Sequence, residues 1–208
     1  MAANWMRRTL MVAACASAAL LAACGSSTTE SAITPQRFIA FGDAMNDLGQ
    51  NGSRYTVNDG SVNNWTLQVV ANYGKSLTPV SAGGLSYATG NARVSAKPDA
   101  AGNASTRTVT EQIDAFLASG SFAATDVVMV SGGVSDVIAG MAAVNAGTLT
   151  QDAMVAAARK AGEDLAAQVR RLVTAGAKYV VVTGTYDLSK TPWAKTIGRE
   201  ALLSNASS

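Results

Sequence analysis

The turn best placed to present a nucleophile reads Phe41-Gly42-Asp43-Ala44-Met45-Asn46-Asp47-Leu48-Gly49, directly after the apolar run Phe38-Ile39-Ala40-Phe41. A serine at its apex would attack a carbonyl, with an imidazole taking the proton. The residue there is Ala44, and none of the 208 residues is a histidine. The remaining hydroxyls in glycine-flanked segments are Ser86, Ser131 and Ser135. Lys190 is the basic residue near them in sequence, so a Ser–Lys arrangement is the one alternative pairing. The carboxylates have plainer readings. Asp43 suits a turn residue that caps backbone N–H groups after the strand, Asp47 and Gly49 suit a second turn, and Asp136 suits either a site role or the N-cap of a helix through Val137 and Ile138.

Other chemistries find little support. Without histidine, and with Cys15 and Cys24 as the only cysteines, no metal-ligand spacing stands out and the sequence argues against a zinc site; no cofactor is expected. Gly83-Gly84 lacks the spacing of a phosphate-binding loop before a helix. The chain has 16 basic and 14 acidic residues; two of the basic ones are Arg7 and Arg8, so the rest of the chain is balanced. The pairs Arg159-Lys160 and Arg170-Arg171 fall on the solvent face of a helix, which argues against nucleic acid as a partner.

Arg7 and Arg8 precede an uncharged stretch from Thr9 to Ala23 that ends Leu21-Ala22-Ala23-Cys24. A basic start, an apolar middle and small residues at the cleavage point make a secretory signal over residues 1–23. The stretch is shorter than the roughly 20 apolar residues of a spanning helix. Leu-Ala-Ala-Cys resembles a bacterial lipobox, which implies lipidation of Cys24 and a membrane lipid as partner; an ordinary cleavable signal is the plainer alternative. Met6 also opens a signal of typical form. By resemblance to other Gram-negative lipoproteins, Gly25 after the cysteine favours the outer membrane, facing the periplasm. Residues 24–35 read as a polar tether, and residues 36–208 as one domain whose core rests on packing without a disulfide.

The elements that must position these groups alternate between strand and helix. Arg37 to Phe41, Asp126 to Val130 and Lys178 to Val182 read as buried strands, and a weaker one is expected near Leu77 to Val80. Asn64 to Tyr73 reads as a helix. Thr108 with Glu111 makes a capping box, ahead of a helix with Val109, Ile113, Phe116 and Leu117 on its inner face. Met154, Ala158, Ala161, Leu165, Val169 and Leu172 form the inner stripe of a long amphipathic helix that Gly176 stops. Strands separated by helices imply parallel crossovers and a three-layer αβα sandwich.

Five segments, in order along the chain, resemble the GDSL (SGNH) family of serine esterases and lipases. They are the Gly42–Gly49 turn, Gly83-Gly84-Leu85-Ser86-Tyr87-Ala88-Thr89-Gly90-Asn91-Ala92-Arg93-Val94, Gln112 to Leu117, Gly133-Val134-Ser135-Asp136, and Tyr186 to Pro192. Asn64-Trp65 before a helix is similar to the branch that includes autotransporter lipases. The resemblance implies a flavodoxin-like parallel sheet of order 2-1-3-4-5 with the site at the carboxyl ends of its strands. It implies the nucleophile position at Ala44 and oxyanion donors at Gly90, or Asn91 in the other register, and at Ser135. Asp43, Asp47 and Asp136 are its remaining block residues. The family's late Asp-x-x-His block has no counterpart before Ser208, so the fifth strand is expected beyond this sequence and the fourth is expected to be an exposed edge.

The family's activity is hydrolysis of carboxylic esters. Ala44, the absent histidine and Ser135 in place of an asparagine together lead to the expectation of a lipoprotein that is catalytically inactive as it stands. It would persist as an envelope structural protein or a binder of a small ester or acyl ligand. The alternative is an N-terminal fragment of an active hydrolase, against which Ala44 weighs.

Overall fold

A computed structural model describes residues 32–55 and 60–208. The signal segment, Cys24 and most of the tether therefore lie outside the described residues. Three parallel strands form the sheet: β1 (Arg37–Phe41), β2 (Asp126–Ser131) and β3 (Tyr179–Thr183), in the order β1-β2-β3. Phe38 pairs with Val127 and Val127 with Tyr179, and the register continues without a bulge to Phe41–Val130 and Ser131–Thr183. At its amino end the β1–β2 pair is pinned by Arg37, whose Nε and Nη2 donate to the two carboxylate oxygens of Asp126 at 3.0 and 2.6 Å.

The helices are α1 (Trp65–Asn72), α2 (Val109–Ser119), α3 (Val134–Asn145), α4 (Gln151–Thr174), α5 (Pro192–Ile197) and α6 (Glu200–Ser207). Each starts where local chemistry allows it. Asn64 caps α1 through Leu67 N–H, Thr150 caps α4 through Ala153 N–H, and the Thr108–Glu111 capping box opens α2 as its sequence predicts. Gly176, at φ +107°, follows the C-cap of α4. Ile39, Phe41, Val128 and Val130 pack against Ile113 and Phe116 of α2 and Leu165 and Leu172 of α4. Phe116 lies edge-on to Phe41 and Tyr87, with centroids 5.7 and 5.9 Å apart. On the other face Phe38 meets Tyr73, just past α1, at 5.7 Å. A second cluster joins Val137 and Met141 of α3 to Met154, Leu188, Ala194 and Leu203.

Two expectations are corrected, besides the burial of β3, whose residues are exposed or half-buried because it pairs with β2 alone. Leu77 to Val80 is not a strand beside β1; that place is taken by Leu85 to Thr89. Ala40 N–H donates to Leu85 O, Tyr87 N–H to Ala40 O and Thr89 N–H to Gly42 O, at 3.1, 2.7 and 3.0 Å. Thr78 to Val80 lies one step further out, joined through Ser86, and turns into a short 3-10 segment at Val80–Ala82. The sheet thus has three regular strands, not four, with a bridge in place of the second. Gly90, Gly84 and the Pro79 turn leave too few consecutive extended residues for a longer ladder. Second, Asp136 is not an N-cap: Gly133 is, without a side-chain bond, and Asp136 is the third residue of α3.

Candidate functional site

Gly42 ends β1 and turns the chain at φ +140°. A Cβ there would overlap the side chain and backbone of Ser131, so only glycine lets β1 and β2 end this close together. Asp43, fully buried, then faces Ser131: Asp43 N–H donates to Ser131 Oγ at 3.2 Å, and that hydroxyl donates to Asp43 Oδ1 at 2.8 Å. Oδ1 also accepts from Met45 N–H at 3.2 Å, the turn-capping role its position predicts, while Oδ2 is buried with no hydrogen-bond partner. Burial pushes the Asp43 carboxyl above the ordinary aspartate range, against the bonds from Ser131 and Met45, and the charge of Asp136 adds to the rise.

Ala44 comes next and is half-buried. Behind it, Asn46 Nδ2 donates to Phe41 O at 2.9 Å and Asn46 Oδ1 accepts from Thr66 Oγ1 at 3.1 Å. Asp47 is buried and fully used. Its Oδ1 accepts from Gly49 and Gln50 N–H at 2.8 and 2.9 Å, and its Oδ2 from Gly90 N–H at 2.7 Å. Gln50 continues the lacing, donating to Ser86 O at 2.7 Å and accepting from Ser81 N–H at 2.8 Å.

The Gly90 N–H is therefore directed at a carboxylate, not at open space. The next residue, Asn91, is the one non-glycine described residue with positive φ, at +65°; its Nδ2 donates to Tyr55 Oη at 3.0 Å. A Cβ on Gly90 would meet the ring of Tyr55, an exposed side chain that can swing aside.

Ser135 is buried in the first turn of α3. Asp136 ties that turn to the Gly83–Val94 segment: Oδ1 accepts from Arg93 Nε at 3.1 Å and Oδ2 from Val94 N–H at 3.0 Å. Burial raises the Asp136 carboxyl, opposed by Val94 N–H and the Arg93 guanidinium. The turn after β1, the segment at 85–94 and the start of α3 are thus joined by carboxylate hydrogen bonds at the carboxyl end of the sheet. A cavity of about 470 Å³ lies beside the 85–94 segment, lined by Gln50, Asn51, Tyr87, Thr89 and Arg107 among others. A second, of about 350 Å³, lies past the ends of β2 and β3 beside Gly133 and Thr185.

Ser86, Ser131 and Ser135 are all buried, Ser86 and Ser131 completely, and Ser131 is committed to Asp43. None presents a hydroxyl to solvent, and Lys190 pairs with Asp187 at 3.9 Å. Sequence reasoning missed Gln112, a fully buried residue of α2 that bonds both the N–H and the carbonyl of Gly42. It also missed Ser131 as the partner of Asp43. A polar residue between Val109, Ile113 and Phe116 on the inner face of α2 was the available signal for Gln112. Among the described residues no group of three or more metal-type ligands occurs, and no helix is long and apolar enough to cross a membrane. No family model matches this chain, and no curated protein matches it.

Proposed function

We propose that this chain is a lipid-anchored bacterial envelope protein built on the GDSL (SGNH) esterase scaffold, and that it does not hydrolyse esters. The observation that carries the reading is the interlocking of three separate motif segments around Ala44. Asp47 holds Gly90 and Asp136 holds Arg93 and Val94, while Asp43 holds Ser131, which lies outside those segments at the end of β2. Residues far apart in sequence, picked out by their resemblance to one family, meet at the carboxyl ends of parallel strands, where open α/β sheets place their sites. The order of the 85–89 segment, β1, β2 and β3 agrees with the first four places of the flavodoxin-like order, which supports the three-layer arrangement.

The chemistry is then decided by what the interlocked segments lack. The nucleophile position carries a methyl group, and no residue of the chain is a histidine. Loss of either group in a serine hydrolase costs about a million-fold in turnover. The Gly90 N–H is consumed by Asp47, and the left-handed backbone belongs to Asn91, which favours the register with Asn91 as the oxyanion donor. Ser135 offers a buried hydroxyl where an amide would reach further. Residual oxyanion stabilisation, worth a few kcal/mol when intact, is weakened as well. The lipid partner enters through Cys24 and the outer membrane as its location. Assay of the purified chain against short-chain aryl esters tests the reading; no turnover above a buffer blank is expected.

A further inference from the structure

We propose that the cavity beside the 85–94 segment is a binding site for a small acidic sugar, a polyhydroxy ring bearing one carboxylate. At about 470 Å³ it falls within the span of small-molecule sites, roughly 300–1,000 Å³. Four separate stretches of chain converge on it: Gln50-Asn51, Val80-Ser81, Tyr87 with Thr89, and the loop from Asn103 to Arg107. The site owes nothing to the chemistry of the Ala44 turn, so it stands whether or not the chain hydrolyses esters.

Its walls are held from behind. Gln50 donates to Ser86 O at 2.7 Å and accepts from Ser81 N–H at 2.8 Å, which fastens the first two stretches to the third. Tyr87 and Thr89 are fixed through their N–H groups to Ala40 O and Gly42 O. The loop folds over the buried carboxylate of Asp99: Oδ1 accepts from Asn103 N–H at 2.8 Å, and Oδ2 from Thr106 Oγ1 at 2.6 Å. That carboxylate is spent within the loop. Walls built in advance lose little freedom when a ligand arrives.

The groups left over select the ligand. Among the described residues that line the cavity none is acidic, and Arg107 is the one charged side chain. Its guanidinium is exposed and has no ion-pair or hydrogen-bond partner among the described residues. The Asn51 carboxamide and the hydroxyls of Ser81 and Tyr87 likewise have none. A guanidinium fork matches a carboxylate. Hydroxyls and a carboxamide both donate and accept, as the hydroxyls of a sugar do. Apolar side chains contribute only Val80 and the Tyr87 ring, which packs against Phe41 and Phe116. An acyl chain would find little surface to cover.

The test titrates the full chain with glucuronate, followed by ligand-observed nuclear magnetic resonance, with glucose, acetate and inorganic phosphate as comparison ligands. Glucuronate should saturate with a Kd of about 1 mM, the scale for a ligand of this size. Glucose lacks the carboxylate, and acetate and phosphate lack the ring hydroxyls; each should bind at least about tenfold more weakly. Arg107→Gln should weaken glucuronate at least about tenfold, whereas Arg170→Gln, which removes an exposed charge from α4, should leave it unchanged. No saturation by about 20 mM glucuronate, any comparison ligand binding as tightly, or equal effects of the two arginine substitutions would each overturn the proposal.

Discussion

The carboxamide of Gln112 grips the backbone of Gly42 through both its N–H and its carbonyl. Gly42 N–H donates to Gln112 Oε1 at 2.7 Å, and Gln112 Nε2 donates to Gly42 O at 2.9 Å and to Arg107 O at 3.2 Å. α2 thereby fixes the residue at which β1 becomes the site turn. Gln112→Leu preserves bulk but strands the buried Gly42 N–H, while Gly42 O keeps its bond from Thr89 N–H. At roughly 1–3 kcal/mol for an unsatisfied buried group, the loss should be about 1–3 kcal/mol. Urea denaturation followed by circular dichroism checks this; an unchanged midpoint would mean that water replaces the amide.

Gly42→Ala should be at least as damaging. Its Cβ would meet Ser131 backbone as well as side chain, and strand pairing prevents that backbone from yielding. The expected signature is a lowered unfolding midpoint, with loss of the near-ultraviolet signal of the Phe41–Tyr87–Phe116 cluster.

Stability should depend on pH through Asp43. Its folded-state carboxyl titrates above the ordinary value of 3.8 because burial disfavours the charge. Between the unfolded and folded values the native state binds more protons, so unfolding free energy falls as pH rises through that window and levels above it. Asp136 is shifted in the same direction. Asp43→Asn keeps an acceptor for Ser131 and removes the titration. Its stability curve above pH 3.8 should be flatter than that of the unmodified chain, and parallel curves would contradict the assignment.

The central strands and long helices were legible because burial on both faces leaves unbroken apolar runs, as in Asp126 to Val130, and burial on one face leaves a 3.6-residue period, as from Met154 to Leu172. The site was legible only as separate motifs. Leu85 to Thr89 gave no strand signal, since its polar and small residues owe their place to three backbone bonds with β1, not to side-chain pattern. Asp136 read as either a site residue or an N-cap because sequence shows an acid before an apolar run, whereas Arg93 and Val94 capture its carboxylate from 42 and more residues away. Gln112 was legible only as a polar residue on the inner face of α2; its partner, the Gly42 backbone, lies 70 residues away.

Lipidation is tested independently of fold. Labelling with a fatty-acid analogue should mark the protein in a bacterial host and place it in the outer-membrane fraction. Cys24→Ser should abolish the label. Equal labelling of the variant would contradict the anchoring site.

The central claim is that this scaffold lacks ester chemistry, and restoring the hydroxyl tests it most directly. Ala44→Ser rebuilds the missing nucleophile at the half-buried apex of the turn, but no imidazole exists to deprotonate it, and an unactivated serine is a poor nucleophile near neutral pH. The unmodified chain and Ala44→Ser should give the same flat trace with short-chain aryl esters and remain unlabelled by an active-site phosphonate. Saturable hydrolysis by the unmodified chain, or stoichiometric phosphonate labelling of Ala44→Ser at the new serine, would contradict the account.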